Sequence, residues 1–277
     1  MNPMTTAWAA ALAAATMLLA ACASAPPSPT ARETEVPVRI ERFDKEFELA
    51  RGVTRVAIDN PWGEINIRSR DEREVGIHAV VQRLPPGFAP ATMRSHRDGA
   101  TLHIDVTMDG ATPGALPLQG RIDIAVYLPG DLVLALHTRD GRISAKRRAA
   151  AVEASSKSGA LLISSRGRLD LHSDSGPIRA VAIGARWDGR SEITSDSGRI
   201  VLMVPTFGDI ALEATTNGRL TNDFGLSVTP DRGGASHAAA RYGQGLSPLT
   251  IRSRTGEIVL EQLVLMGEDK GDQNDDD

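Results

Sequence analysis

Six histidines (His78, His96, His103, His137, His172 and His237) and a twice-used Ser-Asp-Ser-Gly phrase have the residue types needed for catalysis or metal binding. Their spacing does not support either. Common zinc motifs place about three to five residues between paired histidines, and no two histidines here meet that rule. His78, His103, His137 and His172 instead occupy the polar phase beside aliphatic residues, the pattern of a solvated strand face. A serine nucleophile on an elbow needs Gly-x-Ser-x-Gly between a strand and a helix. Ser173-Asp174-Ser175-Gly176 and Ser195-Asp196-Ser197-Gly198 lack that frame. Asp140, Asp174 and Asp196 near successive turns offer oxygen ligands for calcium, but the calcium β-roll also requires paired glycines at a nine-residue period. Trp62 and Trp187 are candidates either to stack on a sugar ring or to cap a core. The expectation is therefore no catalytic residue, no metal and no cofactor.

The elements that carry these residues are set by a repeat. Gly63, Gly141, Gly159, Gly167, Gly176, Gly198, Gly218 and Gly256 are each preceded three residues earlier by Ser, Thr or Asn and followed two residues later by Ile or Leu. Ordinary composition produces about one such coincidence. Five residues before the glycine stands Ile58, Leu136, Ala154, Leu162, Leu171, Ile193 or Ile251, with Glu213 the exception. An aliphatic pair seven residues apart cannot share one face of a continuous strand, so the chain must turn between them. Glycine suits such a turn by tolerating positive φ. Successive glycines are mostly 17 to 22 residues apart, with Gly167 and Gly208 near half-periods. Coils of about 20 residues with two corners that close a core only by stacking predict an all-β fold, a right-handed parallel β-helix or solenoid. A hydroxyl ladder between coils is the expected role of the recurrent serines. At Gly218 the phase shifts by one residue, which predicts an irregular corner.

This reading divides the chain into a signal peptide (1–21), a Pro/Ser-rich tether beginning with a lipid-anchored Cys (22–38), a β-rich lead-in or capping region (39–130), the solenoid repeats (131–265) and an acidic tail (266–277). The stretch 229–245 reads as a long loop replacing half a coil, or as irregular structure. Residues 7–21 are apolar and uncharged and lead into Cys22, the single cysteine. Fifteen residues match a signal-peptide core and fall short of the roughly 20 that span a bilayer. Acylation at Cys22 accounts for one thiol without a disulfide partner; cleavage after Ala23-Ser24-Ala25 is the alternative, and it leaves no anchor. Ala23 after the cysteine resembles outer-membrane sorting.

The net charge is −4, and the tail holds six acidic residues and one lysine. The remainder is nearly neutral, which gives no sign of a nucleic-acid partner.

The phrases Ser173-Asp174-Ser175-Gly176-Pro177-Ile178, Ser195-Asp196-Ser197-Gly198-Arg199-Ile200 and Ser253-Arg254-Thr255-Gly256-Glu257-Ile258 resemble the bacterial putative-adhesin family of β-strand-repeat proteins, a domain of unknown function. The resemblance covers about residues 125–262 and includes strands ending at Pro129 and Pro205. It implies a β-solenoid at the cell envelope with no catalytic positions. The expected role is a non-catalytic, lipid-anchored binding or scaffolding surface for an envelope protein or glycan. A polysaccharide-active β-helix enzyme and an accessory protein in envelope-stress signalling are the alternatives.

Overall fold

The computed structural model describes residues 38–85, 90–116, 118–184, 186–205, 207–230 and 232–263, which fall in one compact unit. Among them there are strands and turns and no helix. The strands are β1 (Arg39–Glu48), β2 (Arg55–Asp59), β3 (Ile65–Arg70), β4 (Glu74–Arg83), β5 (Ala91–Asp98), β6 (Thr101–Met108) and β7 (Gly120–Pro129). The middle of the chain adds β8 (Val133–Thr138), β9 (Ile143–Arg148), β10 (Val152–Ser156), β11 (Leu161–Ser165), β12 (Leu169–Ser173), β13 (Ile178–Ala182), β14 (Ser191–Ser195) and β15 (Ile200–Val204). The last third holds β16 (Ile210–Thr216), β17 (Leu220–Asn222), β18 (Thr229–Pro230), β19 (Ser236–Arg241), β20 (Ser247–Ser253) and β21 (Ile258–Gln262).

From β8 to β15 the chain passes alternately between two sheets. The first has the order β1-β4-β7-β3-β9-β11-β13-β15-β21-β17, and the second β18-β19-β16-β20-β14-β12-β10-β8-β2-β6-β5. The repeat residues form two aliphatic ladders. In the first sheet Ile65, Ile143, Leu161, Ile178, Ile200, Ile258 and Leu220 are successive parallel partners. In the second, Ile104, Ile58, Leu136, Ala154, Leu171, Ile193, Ile251 and Ala214 are. All fifteen side chains are buried between the sheets. Small aliphatics stacked in register fill most of such a narrow core, which is why 4% aromatic content suffices.

The corner glycines work differently from the expectation. None of the eight has a positive φ. What each lacks is room: a Cβ would meet the backbone of the neighbouring layer. Built onto Gly141 it would lie 1.9 Å from the carbonyl oxygen of Gly63, on Gly159 1.8 Å from that of Gly141, and on Gly176, Gly198 and Gly256 2.1 Å from those of Gly159, Gly176 and Gly198. The column of glycines is thus a column of backbone-on-backbone contacts. The corner hydroxyls also depart from a simple ladder. Ser156 Oγ accepts from the Gly159 N–H (2.8 Å) and donates to the Arg139 carbonyl (3.1 Å), while Thr138 Oγ1 donates to the Gly63 carbonyl (2.9 Å). Thr138, Ser156, Ser195 and Ser253 each accept from the N–H of their own corner glycine, Thr138 and Ser156 also donate to the backbone of the layer beneath, and Ser173 Oγ is unpartnered.

Two corners are irregular. At Gly218 the buried pair is Ala214 and Thr216, with Thr216 Oγ1 accepting from Gly218 N–H at 2.9 Å, so the shifted phase is resolved by moving the hydroxyl one residue closer. Gly167 belongs to the opposite corner, from β11 into β12. There Leu162 and Ser164 face outward, and Leu161, Ile163 and Ser165 are the buried residues, contrary to the assignment of Leu162 and Ser164 to the inward phase.

Pairing is mixed rather than wholly parallel. β1 pairs antiparallel with β4, β4 with β7 and β5 with β6 at one end. At the other, β19 pairs antiparallel with β16 and with β18, so residues 229–241, expected as loop, supply two strands. Residue 130 marks no break, because β2 pairs parallel with β8 and β3 with β9. Layer order also departs from chain order: β20 and β21 lie between β14/β15 and β16/β17, and β2 and β3 between β6/β7 and β8/β9.

Candidate functional site

Strand alternation that buries the second sheet's ladder turns the intervening residues outward, and parallel in-register pairing lines them up in rows about 4.8 Å apart. One row runs His103, Ala57, Ala135, Glu153, Asp170, Glu192. Its neighbour runs Asp105, Asp59, His137, Ser155, His172, Thr194. These twelve residues border an open groove of about 450 Å³. Ala57 and Ala135 lower its floor, while five carboxylates and three imidazoles form its polar surface.

Neighbouring layers brace this surface. His137 Nδ1 lies 2.9 Å from Ser155 Oγ, and His172 Nδ1 lies 2.9 Å from Thr194 Oγ1 with its Nε2 3.2 Å from Asp174 Oδ1. His96 and His103 stack with centroids 4.8 Å apart, and His96 Nδ1 is 3.4 Å from Asp105 Oδ2. Glu153 is held by Arg55 and by Arg168 (3.0 Å), and hydrogen bonding to Arg55 pulls its carboxyl below the usual range. Asp59 shifts the other way. The side chain reaches solvent, yet the crowding of the sheet face raises its carboxyl above the ordinary value; Asp105 adds to the rise and His137 opposes it. Asp170 is raised by burial, opposed by Arg168.

The arrangement offers hydrogen-bond acceptors and negative charge along one flat face. Carboxylates that cleave a glycosidic bond must flank it, whereas all five here project from the same side of one sheet. Among the described residues no group of three His, Cys, Asp or Glu side chains is placed to hold a metal ion.

Of the residues singled out from the sequence, Trp62 and Trp187 lie in the core, 9% and 7% exposed. Neither ring face is open to a sugar, which removes the stacking role. Both flank a corner, and Trp187 is tied there by reciprocal 2.9 Å bonds between its backbone and Ser247 Oγ. The corner glycines Gly63, Gly141, Gly159, Gly176, Gly198 and Gly256 run in one column beside the groove; Gly167 stands at the opposite corner and Gly218 in the layer beyond Gly256. Cys22 lies outside the described residues. His137 and His172 were visible in the sequence only as isolated histidines. The signal that unites the groove is their offset: the row residues from Asp59 to Thr194 stand four before a corner glycine, and those from Ala57 to Glu192 six before. Asp105 and His103 carry no such mark, because the β6–β7 connection lacks the corner phrase.

No family model matches the chain, and no curated protein matches it. Among solved structures, a putative cell adhesion protein from Clostridium sporogenes is similar over 81% of this chain and all of its own, with 13% identity and a TM-score of 0.47. A putative adhesin from Bacteroides fragilis (9% identity, TM-score 0.34) and one from Parabacteroides distasonis (10%, 0.32) each match 80% of this chain and 97% of their own. Similarities this distant assign the chain neither a family nor a role.

Proposed function

We propose that the chain is a non-catalytic cell-envelope protein, adhesin-like in using a right-handed parallel β-helix as a binding surface, held to the membrane by acylated Cys22. The observation that carries the binding role is the one-sided strip of carboxylates and imidazoles over β6, β2, β8, β10, β12 and β14. Six strands at about 4.8 Å spacing make it roughly 25 Å long, enough for several units of an extended, hydroxyl-rich or cationic ligand. Glycan chains of the envelope fit that description. An open face with no facing wall suits retention better than turnover, since it presents its carboxylates to one side of a bound chain and does not flank a glycosidic bond with a pair of them.

The test is a glycan array probed with the full chain and with the Asp59→Asn/Asp105→Asn double variant, alongside a reducing-sugar assay. Binding weakened by the double variant, without sugar release, is the expected outcome. Release of reducing ends by the native chain, or binding indifferent to the variant, would overturn the reading. The anchor is checked separately: Cys22→Ser should move the protein from membrane to soluble fractions, and unchanged fractionation would remove the lipid from the proposal.

A further inference from the structure

The outer face of the first sheet carries an arginine pocket independent of the groove. It has a volume of about 610 Å³ and is lined by Arg147, Arg148, Ser164, Arg166, Val181 and Leu263 among others. Three features set it apart.

The first is the clustering of three arginines without counter-charge at one pocket. Many arginines of the protein pair with carboxylates, as Arg55, Arg121, Arg142, Arg168, Arg199 and Arg252 do. Among the described residues, Arg147, Arg148 and Arg166 have no carboxylate within ion-pair distance. The second is Arg148 itself, which is fully buried. Its Nη1 donates to Ser69 Oγ (3.1 Å) and its Nη2 to the Pro129 carbonyl (2.5 Å), while Nε has no partner. Burial lowers its pKa to about 10, with Asp131 opposing. A buried guanidinium short of an acceptor is costly to leave as it is. The backbone beside it is also unusual: Arg147 is the one non-glycine with positive φ (55°) among the described residues, its N–H bonded to Ser164 Oγ at 2.8 Å, and the register between β9 and β11 shifts there.

The third feature is the acidity of the chain beyond Leu263. That residue lines the pocket, its N–H bonded to the Val204 carbonyl at 2.9 Å. The next fourteen residues contain Glu268, Asp269, Asp272, Asp275, Asp276 and Asp277 against one Lys270. Five residues from Leu263 to Glu268 reach up to roughly 17 Å. The pocket spans β13 to β9, two strand spacings or about 10 Å.

We propose that the arginine pocket is the docking site of the chain's own acidic C-terminal segment, with carboxylates of 268–277 meeting the exposed guanidinium groups of Arg147 and Arg166, while buried Arg148 shapes the pocket floor. Bidentate guanidinium–carboxylate contacts would supply the counter-charge that the folded layers do not.

The test uses the full chain and an arginine-selective dicarbonyl reagent, phenylglyoxal, with modification mapped residue by residue by mass spectrometry. In a variant carrying Glu268→Gln, Asp269→Asn, Asp272→Asn, Asp275→Asn, Asp276→Asn and Asp277→Asn, Arg147 and Arg166 should react at least about threefold faster than in the native chain, while exposed Arg42 on β1 reacts equally in both; about 0.5 M salt should erase the difference. A carbodiimide should also join Lys146, exposed beside Arg147, to a tail carboxylate in the native chain. Equal rates at Arg147 and Arg166 in the two chains at low salt, or a change shared by Arg42, would overturn the proposal.

Discussion

The middle of the molecule and its two ends use the same corner but different orders of assembly. From β8 to β13 every strand pairs in parallel with the strand two places on, at offsets of 18, 17 and 22 residues, so chain order is stacking order through β15. At the ends the order is interleaved, with β2/β3 and β20/β21 each tucked one layer inside, and antiparallel strands closing the outermost layers. Gly63 and Gly256 nevertheless stack on their neighbours as Gly159 does. The corner phrase thus encodes how a layer turns and not which layer comes next. Order at the ends answers a different requirement: a parallel stack exposes open edges and must be covered. Tucking the first and last repeats inward supports each of them on both sides.

The sharpest way to break this comparison is to stop the chain at Gly245. A serial stack would merely lose its last layer. An interleaved one loses an inner layer, and with it Leu249, Ile251, Ile258 and Leu260, all buried. At about 1.5–3 kcal/mol for each fully buried aliphatic, the loss rivals the whole stability of an ordinary domain. The expected outcome is that β16 to β19, left without β20, become protease-sensitive while β8 to β15 keep their protection. Retention of a protected β16–β19 unit in the shortened chain would contradict the interleaved order.

A smaller effect separates the column by position. Gly159→Ala places a methyl group 1.8 Å from the Gly141 carbonyl, between two layers that cannot part without disturbing their own neighbours. Gly218→Ala meets its closest atom, the Thr255 carbonyl, at 2.5 Å, in a layer with a parallel partner on one side only. Overpacking of this kind costs about 1–3 kcal/mol and more where backbone must shift. The melting temperature should therefore fall further for Gly159→Ala than for Gly218→Ala. Equal falls would mean that the end layer is as rigid as the middle.

How much of this was legible in the sequence depends on which interactions are local. The turn between Ile58 and Ile65, or between Ile193 and Ile200, was readable because seven residues cannot keep one face of a strand. That glycine stands there for closeness was not, since the clashing atom belongs to a residue 17 or more positions away. The Leu162 assignment failed because the opposite corner, Ser165 to Gly167, has a hydroxyl-to-glycine spacing of two where the main column has three. The groove was half legible. His137 and His172 stood out by type, but Asp59, Glu153 and Asp170 become one surface only once the layers are in register. Arg148 left no trace in the pattern, because a buried arginine arises from a local register shift that composition does not signal.

The finest division lies within the middle itself. Ser156 and Ser173 are direct partners on β10 and β12, both buried and both three residues before a corner glycine. Ser156 Oγ makes two hydrogen bonds, to the Gly159 N–H and the Arg139 carbonyl, whereas Ser173 Oγ has no partner. Removing a bonded hydroxyl strands a buried N–H and costs about 1–3 kcal/mol; removing an unbonded one takes away a desolvated polar group and leaves nothing unpaired. Ser156→Ala should accordingly destabilise by about 1 kcal/mol or more in denaturant unfolding, while Ser173→Ala should be neutral or slightly stabilising. Equal losses at the two positions would mean that the corner hydroxyls act through packing rather than through the bonds that distinguish them.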